Sequence, residues 1–440
     1  MSQNPHTADT PLPSNPPASD SADVGESEAI SRQQWKWSTL AGMASYLDAG
    51  SIVALSAGLV LFQEHFGLNK GAIGILTAIG PNALGCAFGA LVGGWLGDKL
   101  GRKRIYQYDL MVYALGILLI ALASNRGMLF LGTFIVGVAV GVDVPTSLAL
   151  VGEFAPAKAR GKLLGYTQVA WCMGPVIVLC LAMALAPMKL LGIRIVFLHL
   201  FVVAVVTWAL RQGLAESARW QEARKNPGAT RNQIRALFSG LHLKALVWTA
   251  TIYLFWNLAA GTYGIFFPYF IKTLNAGDQA VSVGLSSAYF LITMIVTVTV
   301  FMRYSDRSHS ARKAIWGIGA ILEVAAFVLF LVFPFNIPVI IGNILLLGSS
   351  AALSGEAFYK VFSQELFPTM LRGTAQGITF SVARLVLGIW SFYVPLLAGA
   401  GIRPVAALLA IFLLISGVVG YCFMPDTSGK TLEQIQAERA

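Results

Sequence analysis

Charged side chains are scarce in this chain: Asp, Glu, Lys and Arg make up only 12% of its 440 residues, about half the share of a soluble domain. So little charge excludes a soluble globule with an ordinary solvated surface. Histidine is rare as well, with 5 in the chain, and the 4 cysteines show no CxxC spacing. No metal-ligand spacing and no nucleophile–base cluster at one depth can be assembled from them, so neither a metal site nor an enzyme is expected. Cys86, Cys172, Cys180 and Cys422 fall in or at the ends of apolar runs, where they read as fillers of helix surfaces. Residues 1–34 lack the apolar core of a signal peptide. Being rich in Pro, Ser and Asp, they read as a disordered cytoplasmic tail.

What the chain has in abundance is apolar sequence, with 56% hydrophobic residues, 44 glycines and a mean hydropathy of +0.69. Runs of roughly 20 apolar residues, each long enough to cross about 30 Å of hydrocarbon as a helix, recur along it. Twelve spans are expected, at 37–63, 71–97, 104–124, 127–152, 161–185, 190–213, 243–272, 280–304, 311–334, 336–364, 372–399 and 402–424. This predicts an all-α membrane protein with six helices over 35–213, a linker over 214–242, six helices over 243–424 and a tail over 425–440. The net charge of +10 does not point to nucleic acid, because the cations collect in alternate loops. Lys99, Arg102, Lys103 and Arg104, then Lys158, Arg160 and Lys162, mark one side as cytoplasmic, with both termini on it.

A spaced repeat ties the halves together. Glu153, Pro156, Arg160, Gly161 and Gly165 form E-x-x-P-x-x-x-R-G-x-x-x-G, and Glu365, Pro368, Arg372, Gly373 and Gly377 repeat it. Duplicated halves are a common plan for membrane transporters. Between spans 2 and 3 lies a second motif, Gly94-x-Leu96-x-Asp98-x-x-Gly101-Arg102-Lys103, echoed weakly by Arg303 to Arg307. Its glycines allow close helix approach, and Asp98 can receive a helix N-terminus or a neighbouring cation. The plainer reading is a basic stop-transfer loop.

With these motifs in place the chain resembles the major facilitator superfamily over all twelve spans, and within it the sugar-porter, metabolite:proton-symporter and organic-ion branches. Leu214 to Trp220 and Pro425 to Glu433 are similar to two sugar-porter signatures, the first without its prolines. The resemblance implies two pseudo-symmetric six-helix bundles, and a cytoplasmic gate of salt bridges among Asp98, Arg102, Glu153, Arg160, Glu365 and Arg372.

Ionisable groups at membrane depth are functional candidates by default. Asp48 in span 1 matches the acidic residue of proton-coupled sugar porters, which would make it a proton carrier; the alternative is an acid paired to a neighbouring helix. Their partner arginine is missing, because Thr133 stands at that position. Span 4 instead has Asp143, in a G-x-D-x-P run resembling phosphate:proton symporters, as a second proton candidate. Gln168 falls where sugar porters bind substrate. Asn257 and Tyr263 occupy sugar-binding positions of span 7, although Leu258 breaks the hexose set. Glu356 and Lys360, four apart on one helix face, bind substrate or neutralise each other. Arg384, in a Ser-Val-Ala-Arg-Leu run similar to organic-anion transporters, suits a bidentate anion. Asp109, His199 and Glu323 read as structural.

These residues predict a secondary active transporter working by alternating access, without a cofactor beyond the coupling proton. A small organic anion (a carboxylate or sugar acid) is the first expectation for cargo. A neutral sugar or polyol is the alternative, and phosphate or a sensor role is weaker. With Asp48, Asp143 and Glu356 against Lys360 and Arg384, the cavity counts three acids and two cations. The expected partners are the small-molecule substrate and the lipid bilayer of the inner membrane, with the protein as a monomer.

Overall fold

Two interruptions in otherwise apolar helices set the architecture, and both lie at the centre of the protein. A computed structural model describes residues 30–213, 216–225, 233–274, 276–277, 279–399 and 401–439. Most of the tail expected over 1–34 and the middle of the linker lie outside the described residues.

The first half contains α1 (Arg32–Phe66), α2 (Lys70–Ile79), α3 (Leu84–Leu100), α4 (Arg102–Ala121), α5 (Arg126–Phe154), α6 (Arg160–Ala184) and α7 (Leu190–Arg211). Short helices α8 (Ala218–Arg224) and α9 (Gln233–Leu237) follow in the linker. The second half contains α10 (Gly240–Thr273), α11 (Gln279–Val296), α12 (Met302–Tyr304), α13 (His309–Val332), α14 (Ile337–Ser350), α15 (Glu356–Glu365), α16 (Arg372–Ala398) and α17 (Ile402–Cys422). A π-helical turn, Thr297–Phe301, joins α11 to α12. The tail adds α18 (Leu432–Ala437). Among the described residues, eleven stretches are long and apolar enough to cross a membrane, and Ile337–Ser350 is a shorter twelfth. Large apolar side chains such as Phe88, Leu115, Ile321 and Phe423 stand exposed on the outer surface, as a lipid-facing surface requires.

Local signals place several helix starts. Ser31 opens α1 with a capping box closed by Gln34, and Asn69, Asn125 and Asn336 cap α2, α5 and α14 through their side chains. Each satisfies an orphan backbone N–H of a first turn.

Span 2 is broken between α2 and α3, where Pro81 supplies no backbone donor. Span 10 is broken between α14 and α15, around Ser354 and Gly355. Non-helical backbone at membrane depth is tolerated where it lines an internal cavity; the first break does so through Asn82, and the second sets Glu356, the first residue of α15, at the same cavity.

Within the first half α1 packs on α6, and α4 on α5 and α7; within the second, α10 packs on α16 and α13 on α17. Among the described residues the broadest contacts between halves are those of α3 with α16 and of α6 with α11. The first is a glycine seam. A Cβ on Gly94 would sit 2.2 Å from the Gly373 carbonyl oxygen, and one on Gly377 2.3 Å from that of Ala90. Any side chain there forces the halves apart. Gly94→Val is therefore expected to open this end of the seam, seen as faster modification of cysteines placed along α16.

Candidate functional site

At the end of the bundle carrying the basic loops, each half offers a carboxylate to the first turn of a helix in the other. Asp98 at the end of α3 accepts from the backbone N–H groups of Gly373 and Thr374 at 3.2 and 2.6 Å, and from the Thr374 hydroxyl at 2.7 Å. Asp306, in the turn after α12, accepts from the N–H groups of Gly161 and Lys162, both at 2.8 Å. Free N–H groups and the positive dipole end at a helix start favour a carboxylate at both places.

Buried ion pairs brace each contact. Arg102 meets Asp98 at 2.8 Å and Glu153 at 3.0 Å, and Arg372 meets Glu153 at 3.3 Å. Opposite, Glu365 takes Arg160 at 3.2 Å and Arg312 at 2.9 Å. The Thr427 hydroxyl in the tail also donates to Glu365, at 2.6 Å. All six expected gate residues thus meet in one latch. Arg312 joins Asp306 (3.7 Å) as a further member. The linker secures the first contact: Glu216 accepts from the N–H groups of Arg102 and Lys103, both at 3.1 Å.

Burial pushes the Asp306 carboxyl up from 3.8 to about 6, against the pull of Arg312. Once the latch opens, water returns the group to its ordinary range, so the closed form binds more protons between about pH 4 and 6. Acidification through that window favours closure, and this preference is lost as pH rises past about 6. Asp306→Asn is expected to remove the pH dependence of access from the latch end, measured by cysteine labelling at several pH values.

Midway along the bundle lies a cavity of about 30 Å³ lined by Asn82, Trp171, Trp256, Asn257, Glu356 and Arg384, among others. That holds on the order of two waters. Both helix breaks contribute: Asn82 comes from the first, and Glu356 opens α15 after the second. Arg384 donates through Nη1 to the Asn82 side-chain oxygen at 2.7 Å and lies 4.7 Å over the Phe380 ring. Its Nε has no partner. Lys360 donates to Gln168 at 2.7 Å, Gln168 to Glu356 at 3.4 Å, and Lys360 stands 3.7 Å from Glu356. The pair and the amide therefore form one buried chain across the halves.

Each half also holds a carboxylate on an indole that lines the cavity. Trp171 Nε1 donates to Asp48 at 3.2 Å, and Trp256 Nε1 donates to Glu323 at 3.0 Å. Sequence reading passed over Glu323 because its span lies at the outside of the family fold; only the bond to Trp256 links it to the cavity. Glu323→Ala frees that indole. It is expected to raise KM at least about fivefold, matching the loss of roughly 1 kcal/mol for one such hydrogen bond, whereas Glu323→Gln keeps an acceptor and stays near wild type in uptake kinetics.

Two expected residues are turned elsewhere. Tyr263 donates to Asn343 at 3.0 Å and stacks on Phe267 at 4.0 Å. Asp143 pairs with Arg211 at 3.2 Å, in a cluster away from the cavity.

A sequence profile of the Major Facilitator Superfamily matches residues 39–391. The minor myo-inositol transporter IolF of Bacillus subtilis (strain 168) is 39% identical over 407 residues, covering 90% of this chain and 92% of that protein. The cis,cis-muconate transport protein of Acinetobacter baylyi is 26% identical over 386 residues, covering 84% and 90%. Among solved structures, the proton:xylose symporter XylE bound to 6-bromo-6-deoxy-D-glucose superposes with a TM-score of 0.81 at 19% identity, covering 92% of this chain and 99% of that one.

Proposed function

The chain belongs to the Major Facilitator Superfamily and is a multi-pass membrane transporter of small metabolites; from that premise we propose that it carries a neutral polyol, of the cyclitol class, together with a proton. The observation that carries this reading is the mix of unpartnered polar atoms at the cavity. Asn82 Nδ2 and Arg384 Nε are free donors, and Asn257 Oδ1 is a free acceptor, beside the Glu356 carboxylate. A hydroxyl both donates and accepts, so a hydroxylated ring satisfies both kinds, with the two indoles as apolar walls. A dicarboxylate brings acceptors alone. It would leave Asn257 Oδ1 unsatisfied and place like charge against Glu356.

Charge bookkeeping supports the same reading. Asp143 is tied to Arg211, so the cavity and the two acids on its indoles count Asp48, Glu323 and Glu356 against Lys360 and Arg384, and one proton brings the sum to zero. Asp48 is buried, with no ion pair of its own. We assign it the proton. Its indole partner Trp171 lines the cavity, so substrate and proton meet through one side chain. The excess of Lys and Arg at the latch end supports a cytoplasmic orientation for it.

A second reading, an organic anion, is favoured by Arg384, whose guanidinium has a neutral partner in Asn82, and by the muconate relative. Counterflow of labelled myo-inositol into proteoliposomes separates the two. Competition by unlabelled myo-inositol and related polyols is expected. Competition by cis,cis-muconate alone, lost in Arg384→Ala, would overturn the polyol assignment.

A further inference from the structure

The first half contains a second group of buried charges, remote from the cavity and the latch. Arg211 at the end of α7 lies 3.6 Å from Asp109 of α4 and 3.2 Å from Asp143 of α5. Its guanidinium sits 3.5 Å over the Tyr106 ring. It also donates to the Leu40 carbonyl of α1 at 3.1 Å. Arg211 and Tyr106 are at most 1% exposed, and Asp109 and Asp143 are each 5% exposed. Two carboxylates on one guanidinium leave a net charge of −1 if all are ionised, and an uncompensated buried charge is costly.

Its surroundings supply no further cation. Arg102, two turns earlier on α4, is held by Asp98 and Glu153. Glu153, the acid farther along α5, is taken by Arg102 and Arg372. On α7, His199 is hydrogen-bonded to Tyr46, while α1 offers the cluster only a carbonyl. Among the described residues, no other ionisable side chain forms an ion pair with the three. Four buried polar atoms meanwhile have no partner: Asp109 Oδ2, Asp143 Oδ1, Arg211 Nε and the Tyr106 hydroxyl. The Tyr106 hydroxyl and Arg211 Nε lie outside the carboxylates themselves, and both belong to side chains packed on the cluster.

We propose that Asp109 and Asp143 share one bound proton over Arg211, forming a resident-proton site that is distinct from the coupling site. One proton brings the cluster to neutrality and gives one free carboxylate oxygen a donor to hold. All the helices that build it belong to the first half. Movement of one half against the other leaves it intact, so this proton stays in place through the transport cycle.

The test is thermal melting of the purified protein from mildly acid to alkaline pH. The folded chain holds one more proton than the unfolded chain above the ordinary carboxylate range, so stability falls as pH rises. Asp109→Asn and Asp143→Asn each leave a neutral pair. Each is expected to melt with wild type at acid pH and to lose one proton from the slope on the alkaline side. Infrared spectra provide a second readout, in which the carbonyl band of a protonated carboxyl disappears in both variants. Wild-type slope in both variants, with the band retained, would overturn the proposal. The number of protons moved per substrate is expected to be unchanged in Asp109→Asn, and a drop would overturn the claim that this proton is resident.

Discussion

Glu365→Ala is expected to unlock the latch and leave the cavity open to the cytoplasm for most of the time. One carboxylate serves two buried guanidiniums, Arg160 at 3.2 Å and Arg312 at 2.9 Å. Removing it strands Arg160 and leaves Arg312 only its longer pair to Asp306 at 3.7 Å, and breaking a buried pair by deleting one partner costs about 3–5 kcal/mol. Stranded cations are relieved when water enters, which happens only in the open form. The penalty therefore falls on the closed state, and 3 kcal/mol shifts its population by roughly a hundredfold. At the opposite end of the bundle, among the described residues, the halves share the hydrogen bond of the Ser56 hydroxyl to the Ile265 carbonyl at 3.3 Å and no buried ion pair. The latch therefore carries most of the preference. A cysteine in place of Ala260, which lines the cavity, should be alkylated from the latch side far faster in this variant. Unchanged labelling would mean that Glu365 is not what keeps this end shut. Glu365→Gln, closer in volume, gives the same comparison with less disturbance of packing.

Asp48→Asn is expected to abolish accumulation while sparing exchange. A pH step of one unit supplies about 1.4 kcal/mol per proton, enough for roughly tenfold accumulation at one proton per substrate. Asparagine keeps an acceptor for the Trp171 indole, so the cavity wall stays in place, but it cannot take up or release a proton. Uptake driven by an imposed pH gradient should fall to the equilibration level, with counterflow of the same substrate near the wild-type rate. Accumulation that persists would remove Asp48 as carrier and pass the role to Glu356, the other acid at the cavity. Loss of counterflow as well would instead mark Asp48 as a substrate-binding or packing residue.

The number and position of the spans were legible in the sequence because hydrocarbon thickness fixes the length of an apolar run. The grouping of Glu153, Arg160, Glu365 and Arg372 at one end follows from a motif written twice at identical spacing, while Asp98 and Arg102 come from the loop motif. Neither helix break was legible, since Pro81 and Asn82 are a short dip inside an apolar run of span length and hydropathy stays high through Ala351 to Leu353. Arg312 was hidden for a different reason: Arg102 follows Asp98 by one helical turn, but Arg312 follows Asp306 across a loop and a cap. The partner of Asp143 was hidden as well. Arg211 lies at the far end of another span, and only folding shows that the two charges meet. Asn82, the residue that holds Arg384, belongs to a break and carried no sequence signal.

The crossing of Asp98 onto α16 and of Asp306 onto α6 has a consequence for how the protein can change. Such a joint behaves like the face of a two-fold dimer whose subunits have been fused, where each contact occurs in two related copies. Each copy adds its own share to closure, so a loss on either side already shifts the joint toward opening. It cannot readily specialise, because a new shape must fit both copies. The cavity is under no such rule. Where Arg384 stands in one half, the other has Cys172, and that freedom to diverge is what lets one duplicated frame be fitted to different cargoes.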